Sequence, residues 1–104
     1  MNMNLEDIDI IEGNVEADET AYYEALQRAI NAADAWKFQG AYGRAMMAAI
    51  EAGFCLLGPR PAEDAYGGRI PGRDEVQAGS KGSRAYVAAR RGEAWASRMA
   101  GLET

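Results

Sequence analysis

The short stretch Gly79–Arg84 contains the residues best suited to binding a ligand. Its sequence is GSKGSR, so glycines let backbone amides converge while hydroxyl and cationic side chains add donors. Because the stretch precedes a predicted helix, free amides and the helix dipole also favour an anion there. The residues predicted to bind a phosphate are Ser80, Lys81, Gly82, Ser83 and Arg84. The spacing of a Walker motif is absent, and flexible loops of this composition commonly bind nothing.

A second set of candidate contacts lies in the loop over residues 58–83. Arginines interleaved with a tyrosine could follow a nucleic-acid backbone, and these residues are Arg60, Tyr66, Arg69 and Arg73. Four carboxylates nearly balance the charge of this loop, namely Glu63, Asp64, Asp74 and Glu75. We therefore expect local ion pairs on a surface loop. The adjacent carboxylates lack the dry, preorganised setting that acid–base catalysis needs.

The composition removes most catalytic chemistry. The chain has no histidine, which excludes a histidine base, a histidine-ligated metal and a Ser-His-Asp triad. Cys55 is the only cysteine, so neither an intrachain disulfide nor a cysteine-rich zinc site can form. It lies in an apolar segment, which is typical of a buried and unreactive thiol. We expect a protein that is not an enzyme, with no cofactor and no metal.

Negative charge is concentrated near the N-terminus. Residues 1–27 contain eight acids and no base, whereas residues 60–104 contain eight bases and six acids; the net charge is −5. A dense negative surface is complementary to the basic surfaces with which proteins hold nucleic acid. The residues predicted to bind a partner in this way are Glu6, Asp7, Asp9, Glu12, Glu16, Asp18 and Glu19.

The element around which the chain is organised is a helix predicted over residues 41–57. The segment AYGRAMMAAIEAGFCLL has apolar residues at spacings of three and four and only two charges. Such a pattern is typical of a helix packed on several sides. Gly58 and Pro59 are predicted to end it, because glycine favours a C-cap and proline cannot continue a helix.

Two further helices are predicted on either side of this segment. The first covers residues 18–36 and begins at Asp18, and the last covers residues 84–100 and begins after Ser83, because both residues are favoured N-caps. Glycines before and after residue 41 leave open whether the first two helices are separate or form one kinked helix. The expected single core consists of Leu26, Ile30, Met46, Ile50, Phe54, Leu57, Tyr86, Trp95 and Met99.

The two remaining segments show no helical period. Residues 1–17 are predicted to form an acidic arm, first of all a frayed tail solvated by water. The alternation around Ile8 and Ile10 favours an extended conformation, so a short strand or an extended arm lying on the helices are the alternatives. Residues 58–83 contain all three prolines and six of the twelve glycines. This length exceeds the roughly 12–15 residues beyond which loops are usually functional or disordered. The predicted architecture is all-α, a single domain of three helices over residues 1–104.

The function follows from the segregated charge and from the chemistry that is missing. We predict a protein that binds a protein or protein–nucleic acid complex with a basic surface, as an inhibitor of a nucleic-acid-handling complex. Small phage-encoded inhibitors of host defences, anti-CRISPR proteins included, share this size and acidity, a likeness of composition that covers no motif. The alternative is a phosphate-, nucleotide- or nucleic-acid-binding module that uses the Gly79–Arg84 loop.

The sequence also bears on location and assembly. The stretch MNMNLEDIDI is too acidic for a secretory signal, and no apolar segment reaches the ~20 residues of a membrane span. We therefore expect a cytoplasmic protein with no membrane partner. Much of the hydrophobic content is alanine, so the core is small and a homodimer is a further expectation. Aromatic residues that stay exposed, with Tyr22 or Tyr23 among them, would serve as interface anchors.

Overall fold

The computed structural model describes residues 5–37 and 41–102. Within these ranges the chain is mostly helical, as predicted, but five α-helices replace the predicted three. The helices are α1 (Leu5–Glu12), α2 (Glu19–Asn31), α3 (Ala41–Glu51), α4 (Arg84–Arg91) and α5 (Glu93–Ala100), with a 3₁₀ helix at Asp34–Lys37. Two short antiparallel strands, β1 (Ala62–Glu63) and β2 (Arg69–Ile70), pair with Ala62 opposite Ile70. The predicted connection between the first two helices falls partly on residues 38–40, outside the described residues.

The N-terminal segment contains a helix, so the prediction of a frayed or extended arm over residues 1–17 is wrong for α1. This helix buries a charged residue: Asp7 is 3% exposed and accepts two hydrogen bonds of 2.8 Å from the Arg28 guanidinium on α2. Ile11, one turn later, packs against the core. Gly13, with φ of 79°, then ends the helix. A search for apolar periodicity misses α1 because part of its inward face is a carboxylate.

α2 begins at its predicted cap but ends earlier than predicted. The Asp18 carboxylate accepts a 2.8 Å hydrogen bond from the Ala21 amide, which satisfies a free donor of the first turn. At the other end Ala33 has φ of 63°, a left-handed conformation that is uncommon for a residue with a Cβ. The predicted continuation to residue 36 is wrong because an alanine, which carries no breaking signal, adopts the breaking conformation.

The central helix also ends before its predicted limit of residue 57. Gly53, with φ of 81°, terminates α3, and the amide of Phe54 donates to the Ala49 carbonyl at 2.9 Å. Residues 55–57 continue without helical structure and are nevertheless buried. Gly58 and Pro59 therefore follow a buried non-helical segment instead of ending the helix.

The predicted single core is divided into two clusters by this segment. The first includes Leu26, Ile30, Met46, Ile50, Cys55 and Leu57. The second consists of Leu56, Val87, Ala96 and Met99. Consecutive residues 55, 56 and 57 thus alternate between the clusters, as side chains do along a strand. Of the predicted core, Met99 joins the second cluster, Phe54 and Trp95 pack at the edges, and Tyr86 belongs to neither.

Two buried amide side chains fix the 55–57 segment against α2. Gln27 is fully buried; it accepts from the Leu56 amide at 2.8 Å and donates to the Leu56 carbonyl at 3.0 Å. This exchange of two bonds is the one that a neighbouring strand would make. Gln27 also donates to Asn31 Oδ1 at 3.0 Å, and Asn31 donates to the Leu102 carbonyl at 2.6 Å. The end of the described chain is thereby tied to α2.

Arg73 and Gly82 anchor the long loop to the same segment. Arg73 donates to the Leu57 carbonyl at 2.8 Å and to Asn31 Oδ1 at 3.0 Å. The Gly82 carbonyl accepts from the Leu57 amide at 3.0 Å, and a Cβ on Gly82 would lie only 2.5 Å from the Leu57 side chain. Long-range hydrogen bonds and a close backbone approach therefore hold the loop, together with Ala62, Ile70 and Val76, which pack against the first cluster.

The predicted last helix is a pair of helices. α4 begins at its predicted N-cap, and Gly92, with φ of 96°, separates it from α5. The Tyr86 hydroxyl donates to the Glu51 carbonyl at 2.7 Å, and Trp95 Nε1 donates to the Phe54 carbonyl at 2.8 Å. Both helices thus satisfy carbonyl groups at and beyond the end of α3.

Candidate partner-binding site

A groove of about 860 Å³ lies where α1 is followed by the start of α2. Its apolar lining includes Ile10, Ile11, Val15, Tyr22 and Tyr23. Three carboxylates also line it, those of Glu16, Asp18 and Glu19. Val15 is 46% exposed, which leaves its side chain accessible in the groove. The groove therefore combines apolar surface with concentrated negative charge.

Four of the seven predicted acidic residues hold the protein's own structure. Asp7 is buried in its ion pair, so its placement on the surface is wrong. Glu12 accepts a 2.6 Å hydrogen bond from the Tyr42 hydroxyl on α3, and Asp18 caps α2. Asp9 accepts a longer bond of 3.4 Å from an asparagine in the turn after α1. Substitution of these four would therefore remove contacts within the protein as well as charge.

The other three predicted acids are exposed: Glu6, Glu16 and Glu19. None of the three has an ion-pair partner within the part of the chain that the structure describes. Glu16 and Glu19 lie in the groove, whereas Glu6 lies in the first turn of α1. Exposed carboxylates of this kind are available to a cationic partner.

A row of aromatic rings continues from the groove. Tyr23 stacks on Phe54 with ring centroids 3.9 Å apart, Tyr22 meets Tyr23 edge-on at 5.1 Å, and Trp95 meets both Tyr23 and Phe54 edge-on. The Arg91 guanidinium lies over the Phe54 ring at 3.5 Å, so it must occupy the face opposite Tyr23. The four rings are half-buried and Arg91 is exposed. Tyrosine, tryptophan and arginine in this setting are the residue types that dominate binding interfaces.

The surroundings of Tyr23 keep its hydroxyl protonated. Burial raises the pKa of Tyr23, and the neighbouring Tyr22 and Glu19 raise it further, whereas Arg91 opposes the rise. A protonated phenol beside the groove can donate a hydrogen bond as well as present its ring face.

A second groove of about 600 Å³ shares Ile11 and Tyr22 with the first and extends to α3. Tyr42 and Glu12 lie in it, joined by their hydrogen bond. Burial, followed by this bond to Glu12, raises the pKa of Tyr42 to about 12. The apolar surface around α1 is therefore larger than the first groove alone.

The predicted anion site at Gly79–Arg84 uses its hydroxyl groups internally. Ser83 is 4% exposed; it donates to the Ser80 carbonyl at 2.7 Å and accepts from two amides of its own turn. The Ser80 hydroxyl donates to a loop carbonyl at 2.5 Å, and Arg84 pairs with Glu93. Lys81 is exposed and has no ion-pair partner among the described residues. Anion binding here stays a prediction that depends on Lys81 and backbone amides.

The four predicted loop contacts have different environments. Arg60 is exposed, and Tyr66 is 85% exposed in the turn between β1 and β2. Arg69 pairs with Glu75 at 2.5 Å, as expected for a loop with local ion pairs, and Arg73 binds the 55–57 segment. Arg69 and Arg73 therefore stabilise the loop itself, whereas Arg60 and Tyr66 are exposed.

The remaining candidate groups are either buried or absent from the described residues. Cys55 is buried, as predicted, and burial raises the pKa of its thiol to about 12. Residues 5–37 and 41–102 contain no group of three or more Cys, Asp or Glu side chains placed to hold a metal. Within the same ranges, no helix has both the length and the apolar character needed to cross a membrane.

Sequence reasoning missed Val15 and Arg91 as members of this surface. Val15 is an isolated apolar residue in an acidic stretch, and no local pattern indicates that Arg91 lies over an aromatic ring. The one available signal for the groove was Gly13 followed by Asn14, a C-cap ahead of the N-cap at Asp18, which together indicate two helices joined by a short turn.

Comparisons of the chain with models of protein families, with curated proteins and with solved structures found no match. The function is therefore inferred from the geometry and charge of the site.

Proposed function

We propose that the protein acts by binding a macromolecular partner with a basic surface, and that the acidic groove at the start of α2 receives it. The observation that supports this proposal is the presence of three carboxylates and an exposed apolar lining in one groove of about 860 Å³. Neither feature alone would distinguish a binding site from an ordinary solvated surface.

The residues of the groove suit a segment that contains arginine or lysine next to an apolar residue. A cationic side chain could contact Glu16 and Glu19 and lie on the face of Tyr22, where ring and carboxylate attraction add. The apolar neighbour would contact Val15 and Ile10. The exposed negative charge of Glu16 and Glu19 in the groove also accelerates the encounter with a basic surface.

Binding of this kind would inhibit a partner that uses its basic surface to hold nucleic acid. Proteins that handle nucleic acid hold the phosphate backbone with arginine and lysine. An acidic protein seated on those side chains competes directly with the nucleic acid. We therefore keep a nucleic-acid-handling protein as the proposed target.

The test uses a short peptide that combines arginine and leucine, titrated into the isotope-labelled protein. We expect shifts of the amide resonances of residues 15–23. The variant with Glu16→Lys and Glu19→Lys should bind about tenfold more weakly or worse, since each reversal replaces an attraction of up to about 1 kcal/mol by a repulsion. Glu16→Lys and Glu19→Lys are also measured singly, and Glu63→Lys, at an exposed site on β1, is the matched control because its charge change equals that of either single reversal.

The choice of variants follows from the structure. Asp7, Glu12 and Asp18 are left unchanged because they hold α1 and cap α2. If the groove resonances do not move, or if Glu63→Lys weakens binding as much as the groove variant, the proposal is wrong. Shifts confined to residues 79–84 on titration with inorganic phosphate would instead support the anion-binding alternative.

A further inference from the structure

We infer that a second copy of this chain covers the aromatic row, and that the two copies are related by a two-fold axis close to Tyr23. This contact shares Glu19 with the groove of the proposed function, so partner and second copy would compete for that residue, but the inference does not rest on the proposed function. It follows from the distribution of charge on the two sides of the Tyr23–Phe54 stack.

One side of the stack is acidic. Glu19 lies one helical turn before Tyr23 and lines the groove, together with Glu16 and Asp18. Its charge is close enough to Tyr23 to raise the pKa of that hydroxyl. Within the described residues Glu19 has no ion-pair partner and is exposed.

The other side of the stack is basic. Arg91 lies over the face of Phe54 that Tyr23 does not occupy, and it too is exposed without an ion-pair partner among the described residues. Arg98 lines a separate concave surface of about 590 Å³ with Trp95 and with Thr20 of α2. Arg98 is joined to Glu24 at 3.1 Å, so Arg91 is the cation that is open to a new contact.

A two-fold axis between these sides makes the surface complementary to itself. Rotation about an axis near Tyr23 places Arg91 of one copy opposite Glu19 of the other, and the symmetry forms this contact twice. The half-buried rings at the centre would supply the apolar contact that surrounding charged pairs require. Within one chain Glu19 and Arg91 do not pair, so both charges remain for the second copy.

The small size of this surface limits the affinity of the dimer. The aromatic row and its two charged sides comprise fewer residues than the about 20–30 per side of a standard stable interface. We therefore expect a dimer that dissociates on dilution. The dimer would also shield the half-buried aromatic rings from solvent.

The experiment measures the mass of the protein across a range of concentrations by sedimentation equilibrium. The average mass should rise from 11.2 kDa toward twice that value as concentration increases. Glu19→Lys and Arg91→Glu should each raise the dissociation constant about tenfold or more, because each reverses two contacts at once. Arg44→Glu, at an exposed position on α3, is the matched control and should leave it unchanged.

Mixing the two variants provides the decisive measurement. In a pair of one Glu19→Lys chain and one Arg91→Glu chain, both symmetry-related contacts join opposite charges again, so the mixture should dimerise as the parent does. A monomer at every concentration, or a mixture that remains monomeric while each variant is folded by circular dichroism, overturns the inference. If Arg91→Glu fails to fold, Arg91→Gln replaces it and should weaken the dimer less.

The result is separable from the proposed function. Arg91 does not line the acidic groove, so Arg91→Glu should still bind the arginine–leucine peptide. If the parent protein binds the peptide but does not dimerise, only this inference is wrong. If it dimerises but does not bind the peptide, only the proposed function is wrong.

Discussion

The two segments without helical periodicity, residues 1–17 and 58–83, acquire order in different ways. The first contains a short helix, α1, that docks through the Asp7–Arg28 ion pair and one apolar side chain. The second has almost no regular structure and is held by Arg73 and Gly82 on the buried 55–57 segment. In both, polar groups that reach distant partners act together with a few scattered apolar side chains on the core, without the apolar stripe by which helices are usually recognised.

The largest effect is expected from removing the buried support of the second segment. Gln27→Leu keeps the approximate size of the side chain but leaves the amide and the carbonyl of Leu56 without their partner. Each unsatisfied buried group costs about 1–3 kcal/mol, so the free energy of unfolding in urea should fall by the sum of two such losses. Gln77→Leu, in the exposed part of the loop, is the control. Equal midpoints for the two variants would show that Gln27 does not fix the segment.

A smaller effect is expected where the loop backbone approaches Leu57. Gly82→Ala adds a Cβ 2.5 Å from the Leu57 side chain and keeps φ at 91°, which L-residues rarely adopt. The backbone conformation costs roughly 1–2 kcal/mol and the overpacking about 1–3 kcal/mol. Gly79→Ala has nearly the same φ, 89°, with nothing within 4 Å, so it isolates the conformational part. Thermal melts should rank parent, Gly79→Ala and Gly82→Ala in that order of falling stability; identical melts for the two variants would contradict the close packing.

Weakening the first segment should unfold α1 locally and should lower the free energy of unfolding by less than the two changes above. Asp7→Asn removes the charge that Arg28 binds, and the loss should stay below the about 3–5 kcal/mol of a fully buried pair because the Arg28 side chain is 31% exposed. Hydrogen exchange should accelerate in α1 while residues 58–83 keep their protection. Glu6→Gln, an exposed neighbour, should change neither. Uniform loss of protection across the chain would mean that α1 is part of the cooperative core.

These comparisons show what the sequence could predict of the fold. The helical class, the caps at Asp18 and Ser83 and the buried Cys55 follow from local chemistry and are confirmed. The end of α3 could not be placed, because alanine and apolar residues before and after Gly53 suit a helix and a buried strand-like segment equally. The end of α2 at Asn31 could not be placed either, because the left-handed conformation of Ala33 falls on a residue that favours helices.

The candidate site was predictable in composition but not in geometry. The acidic residues were identifiable, yet Asp7 and Glu12 bind partners 21 and 30 positions away, and no local pattern indicates such distances. The sequence therefore could not separate carboxylates that hold the fold from those that face the groove. Val15 and Arg91 join this surface only through tertiary contacts. Val15 lines the groove with residues of α1 and α2, and Arg91 lies over the Phe54 ring.

The smallest expected effect concerns the pH dependence of the second segment, at Glu75. The hydrogen bond from the Gly72 amide, followed by the bond from Arg69, lowers the pKa of this carboxyl below its ordinary value of 4.5. A folded pKa below the unfolded one means that the ionised group stabilises the turn fully above about that ordinary value. The contribution is lost as pH falls through the lowered folded pKa, because protonation removes the acceptor charge.

Resonances of the Gly72 amide and the Arg69 side chain, followed as the pH is lowered, should report this loss. The transition should occur below the pH at which an ordinary glutamate titrates, and it should be absent in Glu75→Gln. Added salt should move it toward the ordinary value, because the carboxyl is exposed and its attraction to Arg69 is screened. Resonances of α1 should not follow the same curve, since its contacts do not involve Glu75. A Gly72 shift that persists in Glu75→Gln would contradict this prediction and assign the transition to another carboxylate.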